Sequence, residues 1–203
     1  MECCPMLWGS KQISDFTKLV KPGYAKCAMG PNEPNQSGQS DMSPSDAANL
    51  WQKYLQPLKK DGYYLVSPAC TNAPSGITWM QSFLGDCKGC DVDALGLHWY
   101  GTEYEDFISY VTKFHNTFNK DIWVTEFACM NFAYPVSDSA HQCNIDKVFT
   151  FMQKVTAWMD STSYVKAYFA FGALTDMGNV NPTNKLMTGG QTPNALGKLY
   201  IGV

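Results

Sequence analysis

Short apolar runs and longer amphipathic stretches take turns along this chain. Six runs read as buried strands: Cys4 to Trp8, Lys26 to Gly30, Tyr64 to Pro68, Val92 to His98, Ile122 to Phe127 and Val165 to Phe171. Three stretches between them carry helical periodicity. In "SPSDAANLWQKYLQPL", Ser43 is placed to cap, Pro44 suits the first turn, and Leu50, Tyr54 and Leu58 share a face. "YEDFISYVTKFHNTF" repeats the pattern with Phe107, Tyr110, Val111, Phe114 and Phe118, and "NIDKVFTFMQKVTAWMDS" does so again. Buried strands alternating with amphipathic helices imply a parallel sheet, either open and doubly wound or closed into a barrel. The polar and aromatic residues gather at the C-terminal ends of the strands, where a β/α barrel builds its site. No strand is followed by a glycine-rich phosphate loop, the usual mark of the open nucleotide-binding sheet. The expected fold is therefore α/β, of the (β/α)8 TIM-barrel type, with about six β/α units visible where a closed barrel needs eight.

With 203 residues, 45% of them hydrophobic and only 16% charged, the chain suits a single domain with a sizeable core. The formal net charge of -3 gives no electrostatic reason to hold nucleic acid or anionic lipid. All 15 basic residues are lysine, so phosphate chemistry built on bidentate arginine clamps is not expected. A neutral, hydroxyl-rich substrate fits better. Six tryptophans and eleven tyrosines point the same way, because sugar faces stack on aromatic rings.

The chain has five glutamates. Glu2 is terminal. Glu103 and Glu105 sit with Asp106 at the start of a helix, where negative charge favours the dipole. Glu33 and Glu126 are different, since each closes an apolar strand, in "AMGPNE" and "IWVTE". Pro31 ends the first of these strands and Pro34 is expected to keep Glu33 extended. Two carboxylates facing one site are what glycosidic bond cleavage requires: one protonated to donate to the leaving oxygen, the other ionised to attack or to activate water. A separation of about 5 Å goes with retention of configuration and about 6.5 to 9.5 Å with inversion. "LHWYG" supplies a further strand end. There His98 reads first as a core histidine, and Tyr100 could donate its hydroxyl to a carboxylate. Trp8 and Trp99 read equally as sugar platforms or as core.

Cys87 and Cys90 form a C-x-x-C in a loop, and Cys129 and Cys143 bracket a polar loop; both pairs read as disulfides of a secreted protein. A zinc site is the alternative, although no second C-x-x-C or histidine pair completes four ligands. Cys3, Cys4, Cys27 and Cys70 read as small buried hydrophobes. No metal or cofactor is expected. No run of 18 apolar residues marks a membrane span, and there is no signal peptide. For a chain read as secreted, that implies an N-terminus cut short. Asn35 opens a formal glycosylation sequon, "NQS", whose use is not expected beside Glu33.

Taken in order, "PMLWG", "GPNEPNQSG", "LVSPACTN", "LHWYG", "IWVTEFAC" and "FGA" are similar to glycoside hydrolase family 128, endo-β-1,3-glucanases with a β/α-barrel core. The likeness runs over nearly the whole chain. It implies a retaining enzyme acting on β-glucan polysaccharide, secreted or in the cell wall, working as a monomer without cofactor. It implies Glu33 as general acid/base, Glu126 as nucleophile, and Asn32 bonded to the sugar hydroxyl beside the anomeric carbon. His98, Trp99 and Tyr100 would line the site, with Tyr100 the partner of Glu126, and Trp8 would contact glucose units. The likeness also supports the pairing of Cys129 with Cys143. The visible strands correspond to strands three to eight, so residues 1–203 read as one catalytic domain that is N-terminally incomplete, with unpaired edges at strands three and eight. Ala170 stands where a large aromatic is expected, and Cys3-Cys4 replaces an apolar pair. These departures motivate a second reading, a non-catalytic glucan-binding or cell-wall protein derived from such an enzyme.

Overall fold

A computed structural model describes residues 3–189 and 191–203, so Glu2 lies outside the described residues. Five strands, β1 (Cys27–Met29), β2 (Tyr64–Cys70), β3 (Ala94–Gly101), β4 (Asp121–Cys129) and β5 (Val165–Ala170), stand in sequential order in one sheet, which is parallel. Helices alternate with them: α1 (Ile13–Leu19), α2 (Pro44–Leu50), α3 (Ser75–Asp86), α4 (Tyr104–Phe118), α5 (Ile145–Asp160) and α6 (Ala195–Ile201). This is the α/β, β/α-barrel class that the periodicity predicts. A short antiparallel pair, β6 (Met187–Thr188) and β7 (Thr192–Pro193), precedes α6. The chain divides into two compact units, Met1–His98 with Lys120–Trp123, and Trp99–Asn119 with Val124–Val203.

In the first unit, the expected strand from Cys4 to Trp8 is reduced to a single bridge, Met6 to Met29, made by Leu7 N–H to Met29 O and Met29 N–H to Pro5 O. Pro5 has no N–H to extend the ladder. β2 runs two residues beyond the expected Pro68 by means of a bulge: Val66 faces Ala94, yet Ala69 faces Gly96. Pro68 can donate nothing to a ladder, and at the bulge the Gly96 N–H is accepted by the Ser67 hydroxyl at 2.9 Å. The core of this unit holds Leu7, Trp51, Leu55, Leu65, Met80 and Phe83, all without measurable exposure, with Trp51 edge-on to Phe83 and Trp79 stacked on it.

Helix α2 starts as the sequence predicts, with Ser43 Oγ accepting the Asp46 N–H and Pro44 in the first turn. It does not continue regularly to Leu58. A π-helical turn over Trp51–Leu55 and a 3-10 stretch over Gln56–Asp61 follow. Pro57 removes a donor the regular helix would need, and the wide turn advances the buried face by one residue. The buried side chains are thus Leu50, Trp51, Leu55 and Leu58, with Tyr54 left half-buried.

The second unit packs α4 and α5 around aromatic residues. Phe107, Val111 and Phe114 are buried from α4, as are Val148, Phe151, Met152, Val155 and Met159 from α5. Asn144 caps α5 by accepting the Lys147 N–H, and Asn119 ends α4 in a left-handed turn at φ 49. β5, last in the sheet order, is half-exposed along its length, with Phe169 at 44% exposure. Among the described residues no helix is long and apolar enough to cross a membrane.

The cysteines pair as Cys87–Cys90 and Cys129–Cys143, in line with the disulfide reading, which leaves none of these four as a zinc thiolate. A third disulfide, Cys4–Cys27, corrects the expectation that both residues are buried hydrophobes: the bridge at Met6 brings the two strand starts side by side. Cys3 is free and exposed, again unlike the expectation, and only Cys70 is a buried free thiol.

Candidate active site

In the first unit the exit of β1 places Glu33. Gly30 N–H bonds Val66 O, and the chain then runs on beside β2, with Ala69 N–H to Pro31 O and Glu33 N–H to Ala69 O at 2.8 Å. A Cβ on Gly30 would stand 2.6 Å from the Pro68 nitrogen, so only glycine allows this approach to the bulge. Glu33 is not extended, as the flanking prolines suggest, but left-handed at φ 43. This is a rare conformation for a side-chain-bearing residue, worth about 1–3 kcal/mol of strain. Two bonds hold it there, its own N–H to Ala69 O and the Gln36 N–H to its carbonyl.

The Glu33 side chain is buried, and a 2.8 Å hydrogen bond joins its Oε1 to Nδ1 of the fully buried His98. His98 is therefore a buried histidine with a specific acidic partner. Cys70, at the end of β2, has its thiol pushed well up, first by burial and then by the charge of Glu33, so it stays protonated. The sequence marks Cys70 only as a small buried residue, which it is; the bond from Glu33 N–H to Ala69 O sets the end of β2 beside Glu33. Asn32 is buried, donates from Nδ2 to Gln39 Oε1 at 3.2 Å, and bonds Trp8 O through its N–H. Trp8 is half-buried. Asn35 donates from Nδ2 to Thr71 Oγ1 at 2.7 Å and accepts the Thr71 N–H, so the amide a glycan would need is already engaged.

In the second unit Tyr100 donates its hydroxyl to Glu126 Oε2 at 2.7 Å. The Tyr100 ring packs edge-on to Phe132 and Phe171, and against a buried cluster of Ala128, Met130, Met177 and Val180. Trp99 corrects the expectation of a site residue. Strand alternation sends it to the face opposite its neighbours, where it is 3% exposed, stacked on Phe151 and edge-on to Phe107. It is core. A surface groove of about 440 Å³ in this unit, lined by Ile145, Phe149, Pro182, Lys185 and Leu196 among others, contains none of these site residues.

Each of the two strand-end glutamates, described within its own unit, is thus hydrogen-bonded to a residue of "HWY" on β3, and the fold that carries them is of the β/α class. The chain belongs to the glycosyl hydrolase catalytic core family, whose model matches residues 1–200, and within it to glycoside hydrolase family 128. It is 31% identical over 177 residues to alkali-sensitive linkage protein 1 of Schizosaccharomyces pombe, covering 85% of this chain and 32% of that protein, so it spans about a third of that relative's length. Among solved structures, the subgroup VI exo-β-1,3-glucanase of Aureobasidium namibiae is 28% identical with a TM-score of 0.83, covering 97% of this chain and 76% of that one. The subgroup VII oligosaccharide-binding protein of Cryptococcus neoformans is 25% identical with a TM-score of 0.81, covering 99% and 79%. Members of the family are thus endo- or exo-β-1,3-glucanases or oligosaccharide-binding proteins.

Proposed function

We propose that this chain is the core of a secreted, retaining endo-β-1,3-glucanase in which Glu33 is the general acid/base and Glu126 the nucleophile. The observation that carries the reading is the different partner each carboxylate has. Glu126 accepts the Tyr100 hydroxyl, a bond that fixes the orientation a nucleophilic carboxylate needs. Glu33 meets an imidazole nitrogen, which can accept from the protonated carboxyl or donate to the ionised one. An acid/base must pass through both states in one cycle: it protonates the leaving oxygen, then takes a proton from the water that releases the glycosyl-enzyme. Asn32 and the half-buried Trp8 beside Glu33 are proposed to hold the reacting glucose unit. The substrate class follows from the family's β-1,3-glucanases and from the absence of arginine. Three disulfides suit an oxidising compartment outside the cytosol.

The reading requires the carboxyl groups of Glu33 and Glu126 to stand about 5 Å apart in an experimental structure. It also requires Glu126→Ala to abolish the release of reducing ends from soluble β-1,3-glucan; turnover unchanged from the parent chain would refute it. The competing reading, a binding protein, is favoured by one observation: the structurally similar Cryptococcus protein binds oligosaccharide. Glucan affinity without turnover by the parent chain selects that reading.

A further inference from the structure

The loop between β4 and α5, closed by the Cys129–Cys143 disulfide, is not the polar connection its flanks suggest. It exposes Phe132 at 50%, Tyr134 at 39% and Val136 at 42%. Apolar side chains on a mobile loop would fold inward or against one another. These are held out by a built framework. The Gln142 amide spans the loop, donating to the carbonyls of Asn131 at 2.7 Å and Tyr134 at 3.0 Å and accepting the Asn131 N–H. Cys143 O is in turn held by the side chain of Asn181. The Tyr134 ring lies flat on His141, with centroids 3.8 Å apart and planes at 5°, and His141 is fixed by Asp138 at 2.9 Å. One face of Tyr134 is therefore backed by imidazole, and the residue remains 39% exposed.

Phe132 connects this loop to the chemistry. Its ring centroid is 4.9 Å from that of Tyr100, whose hydroxyl bonds Glu126. A ring half in solvent, pinned edge-on to the partner of a strand-end carboxylate, is suited to the apolar face of a pyranose. A rigid platform also loses little conformational entropy when a sugar settles on it.

We propose that Phe132, on the loop that also exposes Tyr134, is a sugar-stacking subsite continuous with Glu126, and that it determines how tightly the chain holds β-1,3-linked glucose units. This rests on the glucanase reading above. The occupant is glucan rather than a protein partner because the patch adjoins a carboxylate and a phenol that would meet sugar hydroxyls.

The test is calorimetric titration of laminarihexaose into Glu126→Gln, which removes turnover, and into Glu126→Gln combined with Phe132→Ala or Phe132→Trp. Phe132→Ala is expected to weaken binding at least five-fold, and Phe132→Trp to stay within two-fold of the parent, a rescue that a structural role would not give. Tyr134→Ala should weaken binding by a smaller factor. Thermal melting of each variant checks that the fold is intact. Equal affinity of the Ala variant and the parent overturns the subsite and leaves the glucanase reading standing. Failure of Glu126→Gln itself to bind removes both.

Discussion

Glu33 and Glu126 close similar strands and yet come to rest in different surroundings, and single residues decide the difference. Glu33 is buried, left-handed and joined to an imidazole; Glu126 is half-buried and takes a phenol. Much of this was legible. Residues of a strand alternate between faces, so His98 and Tyr100 must share one and Trp99 the other, and the core position of Trp99 is what the period demands. The positive φ of Glu33 was not legible. Pro34 disfavours a helical conformation in the residue before it, which reads as extended, and the left-handed alternative goes with two bonds made elsewhere, Glu33 N–H to Ala69 O and Gln36 N–H to Glu33 O. The Tyr100 hydroxyl bonds a carboxylate, and such bonds are worth about 1.5–3 kcal/mol. On the proposed mechanism, Tyr100→Phe lowers kcat on β-1,3-glucan by about 10- to 100-fold. Its melting temperature should hardly move, because Phe132 and Phe171 still pack on the ring. A variant with wild-type kcat would exclude Tyr100 as the positioning partner of Glu126.

At the scale of elements, the two places where the structure departs most from the periodic pattern both follow from proline. Pro57 breaks the helix after α2 into π and 3-10 turns, and Pro68 breaks the β2 ladder into a bulge. Proline was visible in each stretch. What could not be read was which groups pair around the bulge, because the partners are far away in sequence: Ser67 Oγ accepts the Gly96 N–H, and Ala69 O accepts the Glu33 N–H. The Cys4–Cys27 disulfide was hidden for the same reason, since its pairing depends on the bridge at Met6. The bulge and the close approach of Gly30 act together, and this gives an element-level prediction. Gly30→Ala places a methyl group 2.6 Å from the Pro68 nitrogen, which is backbone and cannot rotate aside. The strands must separate, at a cost on the order of 1–3 kcal/mol. Urea denaturation should show this loss. Activity should fall by more than stability explains, because Glu33 moves with the strand exit. Wild-type stability in this variant would mean that the β1 exit does not need glycine.

For the whole molecule, the fold class was the most legible feature, because alternation of apolar strands with amphipathic helices is repeated many times and tolerates local error. The ionisation of the core was not legible, since tyrosine spacing says nothing of burial. Four phenols stand above their ordinary value of 10.0: Tyr104, through its hydrogen bond to Glu105, and three for which burial is the first cause. Tyr168 is raised first by burial and then by its 2.6 Å hydrogen bond to Asp160. Tyr64 is raised by burial, then by the charges of Asp121 and Asp93. Tyr200 is raised by burial, with the Ala170 N–H opposing. Each is a tyrosine that holds its proton more tightly folded than unfolded. Its contribution is fully present below pH 10.0, and is lost as pH rises through the raised folded values, because there the unfolded state releases the proton first. Both compact units carry such a group, so alkali should weaken each of them. The melting temperature should be nearly flat between pH 7 and pH 9, and fall steeply above about pH 10. Tyr168→Phe should start lower, having lost the bond to Asp160, and decline less steeply, because one of the groups driving the fall is gone. An alkaline slope equal to that of the parent chain would show that Tyr168 titrates folded as it does unfolded.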